Sequence, residues 1–165
     1  MSAPSEAVLE KVGSWLRHGD QDLALARHAL AMGANCPYDL VAYHAQQCAE
    51  KYLKAYLVYR LVDFPYTHNL LRLIELIPPD VPWIADVEPA AALSGYAVSA
   101  RYPGEDEPVC EGEARGAIEI ASGVCARLRQ VLAASAVADG VEGIVGRMWP
   151  LSDKEWEDAR RAQRE

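Results

Sequence analysis

The sequence predicts an all-α protein, an antiparallel up-and-down bundle of about five helices with a short helix appended at the C-terminus. Apolar residues recur at steps of three and four over several long segments, the spacing that places side chains on one face of a helix. Prolines and glycines separate these segments. No segment shows the two-residue alternation of a half-buried strand over a length that would predict a sheet.

The first helix is predicted over residues from about 6 to 32, and the second from about 37 to 62. Gly13 and Gly19 could interrupt the apolar stripe of the first helix. Pro37 suits the first turn of the second helix, where its missing backbone donor costs nothing. The apolar stripe of the first helix comprises Leu9, Val12, Leu16, Leu23, Ala26 and Leu30.

Shorter elements follow, separated by prolines. Thr67 is placed to cap a short third helix that ends before Pro78. A further helix is predicted over about residues 90 to 102, because the residue before Pro103 is pushed away from helical angles. The last bundle helix is predicted over about residues 109 to 136. We expect its inward side to carry Ala114, Ala117, Ile118, Ala121, Cys125, Leu128 and Leu132.

The predicted domain organisation is a helical bundle over residues 1–138 and a C-terminal region over residues 139–165. Glycines between about residues 139 and 146 predict a flexible linker. Ser152 and Glu155 have the spacing of a capping box at the start of a final amphipathic helix. We expect residues 147 to 160 to dock as a helix, either on their own bundle or across a dimer, through three large apolar residues, Trp149, Leu151 and Trp156.

Composition argues against several classes of protein. A length of 165 residues suits one domain, and a net charge of -8 argues against broad nucleic-acid binding. Arg115, Arg127 and Arg129 nevertheless lie in one segment and could form a local basic patch. The N-terminus lacks the basic and apolar regions of a signal peptide, and no run approaches the roughly 18 apolar residues of a membrane span. We therefore expect a cytoplasmic protein that does not associate with membranes.

The sequence predicts no metal site, no cofactor and no catalytic residue from a known short motif. The four cysteines show none of the paired spacing that holds zinc, so we expect reduced and mostly buried thiols. A glycine-rich phosphate loop, a nucleophile elbow and a His-Glu-x-x-His pair are all missing from the sequence.

The most informative segment is Tyr43-His-Ala-Gln-Gln-Cys-Ala-Glu-Lys-Tyr-Leu-Lys-Ala-Tyr-Leu57, followed by Phe64-Pro-Tyr-Thr-His68. Glu50 and Lys54 lie four residues apart on the predicted helix, in the order that favours a surface ion pair. A second polar row, at i, i+3 and i+7, comprises His44, Gln47 and Lys51.

These residues resemble the HEPN family, small helical-bundle domains of prokaryotes. The central helix of that family commonly reads His-Ala-Gln-Gln-Ala-Ala-Glu-Lys, with a Phe-Pro-x-Thr-His turn after it. The stretch from His44 to Lys51 departs from this pattern only at Cys48. The resemblance extends back to Trp15 and forward to Tyr96-Ala-Val-Ser-Ala-Arg-Tyr-Pro-Gly104, so it covers most of the first 132 residues. It implies a HEPN-like bundle.

HEPN ribonucleases carry an Arg that is followed, after four to six residues, by a His. In those enzymes the Arg holds phosphate and the His moves a proton in metal-independent RNA cleavage. Arg101 is the matching Arg here, but positions 106 to 108 are Asp, Glu and Pro. Carboxylates would repel the scissile phosphate, and at neutral pH an ordinary carboxyl group has no proton to donate. The ribonuclease motif is therefore incomplete.

Two sets of residues are candidates for binding a ligand. Arg101 and Tyr102 could hold a phosphate or a partner's carboxylate, although Arg101 would equally serve the last carbonyls of its own helix. His44, Gln47 and Lys51 could line a polar cleft for a nucleotide. The alternative is that His44 is a packing residue and that Gln47 and Lys51 belong to the rim of an interface.

Three functions remain open at this point. The leading hypothesis is a non-catalytic or nucleotide-binding module that acts as a homodimer with a separately encoded partner. The resemblance implies that this partner is a minimal nucleotidyltransferase, in a toxin-antitoxin-like context. The alternatives are a diverged HEPN ribonuclease toxin and a purely structural dimerisation protein.

Overall fold

Helices form every regular element of the computed structural model, which describes residues 3–99, 102, 104, 107–149 and 151–164. No strand occurs in that part of the chain, so the all-α prediction is confirmed. The α-helices are α1 (Glu6–Leu30), α2 (Tyr38–Tyr59), α3 (Leu70–Ile74), α4 (Ile84–Val87), α5 (Tyr96–Ser99), α6 (Glu111–Ala138), α7 (Glu142–Met148) and α8 (Asp153–Ala162). Short 3-10 helices occupy Gly33–Asn35 and Glu88–Leu93.

The first helix begins at the Ser5 cap, whose side chain accepts a hydrogen bond from the Val8 amide. It is continuous through Gly13 and Gly19, and both glycines are buried. A Cβ at Gly19 would lie 2.8 Å from a ring carbon of Tyr52, and a Cβ at Gly13 would lie 2.9 Å from the Met148 carbonyl oxygen. These glycines are therefore sites where α1 is approached closely by α2 and by the C-terminal region.

Helix α2 is the centre of the bundle, and it packs against both α1 and α6. The inward residues predicted for α6 are all buried, and their small side chains let α6 approach α2. Among the described residues, α6 is also the one helix with the length and apolar content to resemble a membrane span. Ten of its residues are buried in the core of this bundle.

The segment after α2 returns to the side of that helix. Leu61 adopts a left-handed conformation with φ 57°, and the Val62 amide donates to the Leu57 carbonyl, which ends α2 sharply. Helix α3 is capped by Asn69 and not by Thr67, because the Asn69 side chain accepts from the amide of Leu71. The Thr67 hydroxyl instead accepts from the Asn69 amide, just before the helix begins.

The single helix expected over about residues 90 to 102 is replaced by two short pieces, Glu88–Leu93 and Tyr96–Ser99. The first is a 3-10 helix with a proline at its start, and it buries Ala90 and Leu93. Residues 100, 101 and 103 lie outside the described residues.

The linker expected over about residues 139 to 146 is largely helical. Gly140 makes the turn at φ 70°, and α7 then follows directly. Val141, Val145 and Trp149 are buried at intervals of four, which is a helical repeat that the glycines between them concealed. The position of the domain boundary at residue 138 stays a prediction.

The last helix docks on the bundle as expected. The predicted capping box is present, since the Ser152 amide donates to Glu155 at 2.7 Å and the Glu155 amide donates to the Ser152 hydroxyl at 3.3 Å. Trp149 is 2% exposed and Trp156 is 9% exposed. The Arg17 guanidinium donates to the Met148 carbonyl at 2.9 Å, which ties the C-terminal region to α1.

We predict that Trp156→Ala lowers the free energy of unfolding by about 3 kcal/mol, because it removes a buried indole and leaves a cavity between α8 and α6. Urea denaturation measures the change. Tyr66→Ala is the matched control, since Tyr66 is 93% exposed and its loss should change stability by no more than about 0.5 kcal/mol. Equal losses in the two variants would show that the C-terminal helix does not contribute to the folded core.

Candidate functional site

The polar residues on the inner side of α2 form a buried network around Glu50, which is 3% exposed. Its carboxylate accepts from Lys54 Nζ at 2.7 Å, from Gln46 Nε2 at 3.0 Å and from Gln47 Nε2 at 3.3 Å. The His68 ring nitrogen Nδ1 lies 3.0 Å from the same carboxylate. The buried Glu50 carboxylate therefore has four hydrogen-bond partners.

The ion pair of Glu50 and Lys54 exists as the spacing predicted, but it is buried and not on the surface. Lys54 is 5% exposed, and its ammonium lies 5.5 Å from the Trp15 ring centroid and 5.7 Å from that of Phe64. Those rings cover the cation and attract it through their π faces. Sequence spacing identifies the pair, whereas its burial depends on two aromatic residues from other segments.

Gln46 completes this network, and it is fully buried. Its amide nitrogen donates to Glu50 and, at 3.1 Å, to the backbone carbonyl of His68. Its amide oxygen accepts from Gln47 Nε2 at 2.7 Å. Gln46 thus holds the turn before α3 against α2. It was missed in the sequence, although its place four residues before Glu50 and eight before Lys54 was a usable signal.

The electrostatics of Glu50 follow from these contacts. Burial alone would raise the pKa of the Glu50 carboxyl, but hydrogen bonds from Lys54, Gln46 and His68 outweigh it and hold the pKa below its ordinary value. The carboxylate is therefore ionised in the folded protein at neutral pH. Such a group is a structural anchor, since an acid used to donate protons near neutrality needs a raised pKa.

Two of the predicted ligand residues contact Asp22 of α1. His44 Nδ1 lies 2.8 Å from one carboxylate oxygen, and Lys51 Nζ donates to the other. Asp22 is 9% exposed, so both contacts are partly shielded from water. Together with the contacts of Gln47 to Gln46 and Glu50, they engage the whole polar row within the chain. His44 and Lys51 therefore tie α2 to α1, whereas Gln47 bonds within α2. The polar cleft expected at these residues stays a prediction.

A third cluster joins four helices around Tyr52 and Arg129. The Tyr52 hydroxyl donates to Asp20, and the Arg129 guanidinium donates to Tyr52 at 3.2 Å and to Glu155 at 2.7 Å. Burial and the acceptor Asp20 raise the pKa of the Tyr52 phenol, so it remains a donor. Burial alone would lower the pKa of Arg129, but Glu155 and Tyr52 raise it, so the cation is permanent.

The basic patch considered for α6 does not form. Arg115 pairs with Glu111 at 2.7 Å, and Arg127 pairs with Asp86 at 2.8 Å. Arg129 is engaged as described above. Each guanidinium thus faces a carboxylate, and phosphate would have to compete with it. The expectation that this acidic chain does not bind nucleic acid broadly stays a prediction.

The second candidate pair lies at the edge of the described residues. Arg101 falls outside them, whereas Tyr102 is 66% exposed and borders a cavity of about 190 Å³. Among the described residues, Asp39 and Glu107 also line that cavity. Its volume is below the roughly 300 to 1,000 Å³ of a typical ligand site. The assignment of Arg101 and Tyr102 as a ligand site stays a prediction.

The fold and this site define a helical-bundle domain whose central helix carries buried structural polar groups. The chain belongs to the HEPN family, because a family model described as "HEPN domain" matches residues 12–131. The resemblance stated from the sequence is confirmed. Helices α7 and α8 follow the matched region.

Two solved structures share this fold. TT1696 from Thermus thermophilus is 28% identical, with a TM-score of 0.62 over 73% of this chain and 98% of that chain. ST0689, an archaeal HEPN homologue, is 26% identical, with a TM-score of 0.57 over 72% of this chain and 94% of that chain. No protein of curated function matches this chain.

We predict that Glu50→Gln lowers the free energy of unfolding by about 3 kcal/mol near neutral pH, because it leaves Lys54 buried without its counter-ion. The pKa of Glu50 is lower folded than unfolded, so its contribution is complete above the ordinary value of 4.5 and is lost as pH falls through the folded value. The difference between parent and variant should therefore shrink on acidification.

Urea denaturation from about pH 7 to about pH 4 measures this change. The matched control is Glu111→Gln, which removes an exposed i,i+4 pair with Arg115 and should cost no more than about 1 kcal/mol. A Glu50→Gln deficit that stays constant over this pH range would contradict the assignment of Glu50 as the ionised centre of the network.

Proposed function

We propose that this chain is a non-catalytic helical module that acts as a homodimer with a separately encoded partner. The observation that carries the proposal is the engagement of the polar row of α2 within the chain. His44 and Lys51 bind Asp22, and Gln47 binds Gln46 and Glu50. These contacts hold α2 against α1 and link polar groups within α2, which favours a structural role for the row.

The surface beside this row supports an interaction role. Leu25 lies one turn after Asp22 on the same side of α1, and Leu40 lies one turn before His44 on α2. Met32 lies in the turn just after α1. The ion pair of Asp22 and His44 brings these two helix sides together. Leu25, Met32 and Leu40 are 50%, 55% and 45% exposed, respectively. We call this set the α1–α2 apolar face.

Homodimerisation through the α1–α2 apolar face would remove these side chains from water. A two-fold axis places the same surface of both copies in contact, so a helix pair with apolar residues along its seam can face its own copy. The charges next to the seam are compensated, since Asp22 is paired with Lys51 and His44. No uncompensated like charge at these positions opposes the approach of a second copy.

Membership of the HEPN family supports a minimal nucleotidyltransferase as the separately encoded partner, in a toxin-antitoxin-like context. A nucleotidyltransferase gene beside this one would support that partner, and its absence would favour a purely structural dimerisation protein. A nucleotide ligand is less favoured, because His44, Gln47 and Lys51 each have a partner within the chain.

We predict a stable homodimer at micromolar concentration. The double variant Leu25→Glu with Leu40→Glu should raise the dimer dissociation constant at least about 100-fold, since two buried carboxylates would replace apolar contacts. Light scattering across a dilution series measures the mass. Leu71→Glu is the matched control, because Leu71 on α3 is 48% exposed and lies on a different element.

A monomer in the parent protein at these concentrations would refute the dimer. A dimer that survives the double variant but is lost in Leu71→Glu would place the interface on α3 instead.

We also predict that the purified protein does not cleave RNA in the absence of metal, because no His follows Arg101 at the required spacing. Structured and single-stranded RNAs are incubated with the parent and with Arg101→Ala, and the products are resolved on denaturing gels. Both proteins should leave the RNA intact. Cleavage by the parent that disappears in Arg101→Ala would overturn the non-catalytic assignment in favour of the diverged ribonuclease.

A further inference from the structure

Two buried thiols meet between the central helix and the last bundle helix. Cys48 of α2 is 0% exposed, Cys125 of α6 is 5% exposed, and their sulfurs lie 3.0 Å apart. Non-bonded carbon atoms pack at about 3.5 to 4.0 Å, and sulfur is a larger atom. A disulfide bond is about 2.05 Å long, so the two sulfurs are about 1 Å from bonding distance.

Position 48 is also where this chain departs from the HEPN pattern. The stretch from His44 to Lys51 follows the HEPN pattern except at Cys48, where that pattern has alanine. This chain thus has a thiol at a position where the pattern has a methyl group. The one departure from the pattern thus faces a second cysteine, 77 residues further along the chain.

We propose that Cys48 and Cys125 are the site of an intramolecular disulfide that links α2 to α6. The oxidant is a low-molecular-weight disulfide, acting by thiol–disulfide exchange. One cysteine thiolate attacks a sulfur of the oxidant, which forms a mixed disulfide and releases one small thiol. The second cysteine thiolate then attacks the protein sulfur of the mixed disulfide. The protein disulfide forms and the second small thiol leaves, so that the two small thiols together carry the two electrons and two protons lost by the pair.

Burial makes this reaction slow in the folded protein. The contact with Cys125, burial and the nearby carboxylates of Asp20 and Asp22 raise the pKa of the Cys48 thiol. Little thiolate is therefore present, and the oxidant reaches the pair only when α2 and α6 separate. The same burial protects the finished bond from reduction. The disulfide is thus a stabilising link formed during folding or transient opening.

The separation of 77 positions between Cys48 and Cys125 increases the stabilisation expected from a disulfide. Closing a loop of this length restricts the unfolded chain more than a short loop would, so the bond favours the folded state. The other two cysteines lie elsewhere, with Cys36 buried in the turn before α2 and Cys110 exposed at the start of α6. They serve as internal references for thiol reactivity.

The experiment uses the full chain and oxidised glutathione as the oxidant. Urea near the unfolding midpoint separates α2 from α6, so that glutathione can reach the two thiols. After urea is removed, non-reducing peptide mass spectrometry should find one peptide pair joined through Cys48 and Cys125. Its mass should be lower by two hydrogens than the sum of the reduced peptides. The oxidised protein should unfold at a higher urea concentration than the reduced protein, and a thiol reductant should reverse the shift.

Matched variants separate this bond from other oxidation. Cys48→Ala restores the alanine of the HEPN pattern, so it is compatible with the fold, and its urea midpoint should not rise on oxidation. The double variant Cys36→Ala with Cys110→Ala should keep both the cross-linked peptide and the rise. The proposal is overturned if Cys48 and Cys125 can still be alkylated after oxidation, or if Cys48→Ala shows the same rise as the parent.

Discussion

A buried ion pair on the central helix constrains much of this fold, because two charges in the interior are stable only when other groups compensate them. Glu50 and Lys54 are 3% and 5% exposed, and removing two charges from water costs several kcal/mol per ion. Gln46, Gln47 and His68 supply hydrogen bonds to the carboxylate, while Trp15 and Phe64 cover the ammonium. The turn before α3 must therefore return to α2, and α1 must present an aromatic ring at this level.

A second layer of polar contacts sets the alignment of the other helices. Asp22 binds His44 and Lys51, which aligns α1 with the middle of α2. Tyr52 and Arg129 connect this pair with α6 and, through Glu155, with α8. Apolar packing between helices tolerates small sliding movements, whereas directional hydrogen bonds favour one position. The apolar core supplies most of the stabilisation, and these polar layers select the arrangement.

This distribution of roles also bears on function. Residues of α2 that have the chemistry of a ligand site are engaged in holding the bundle, and the arginines of α6 are engaged by carboxylates. The α1–α2 apolar face, by contrast, leaves Leu25, Met32 and Leu40 about half exposed to water. A surface of this kind suits association with another protein better than chemistry on a small molecule. HEPN membership and the incomplete ribonuclease motif are consistent with that emphasis.

Local pattern was sufficient to predict much of the secondary structure. The apolar repeats of α1, α2 and α6 and the capping box of α8 each involve residues close together in the chain, and each was recognisable from spacing alone. The missing His after Arg101 is likewise a property of the sequence. Where the local signal was mixed, as in residues 88–99 and 142–148, helix boundaries were wrong because burial of distant partners decided them.

The tertiary structure decided which polar residues are buried and what they bind. The spacing of Glu50 and Lys54 is the same for a surface pair and a buried one, and only the approach of Trp15, Phe64 and His68 distinguishes them. Nothing within α2 indicates that Asp22 is the partner of Lys51. Helical periodicity assigns residues to a face of their own helix, whereas burial and pairing depend on segments far away in the chain. For that reason the sequence by itself determined the helices and the family, and the folded chain determined the role of each polar side chain.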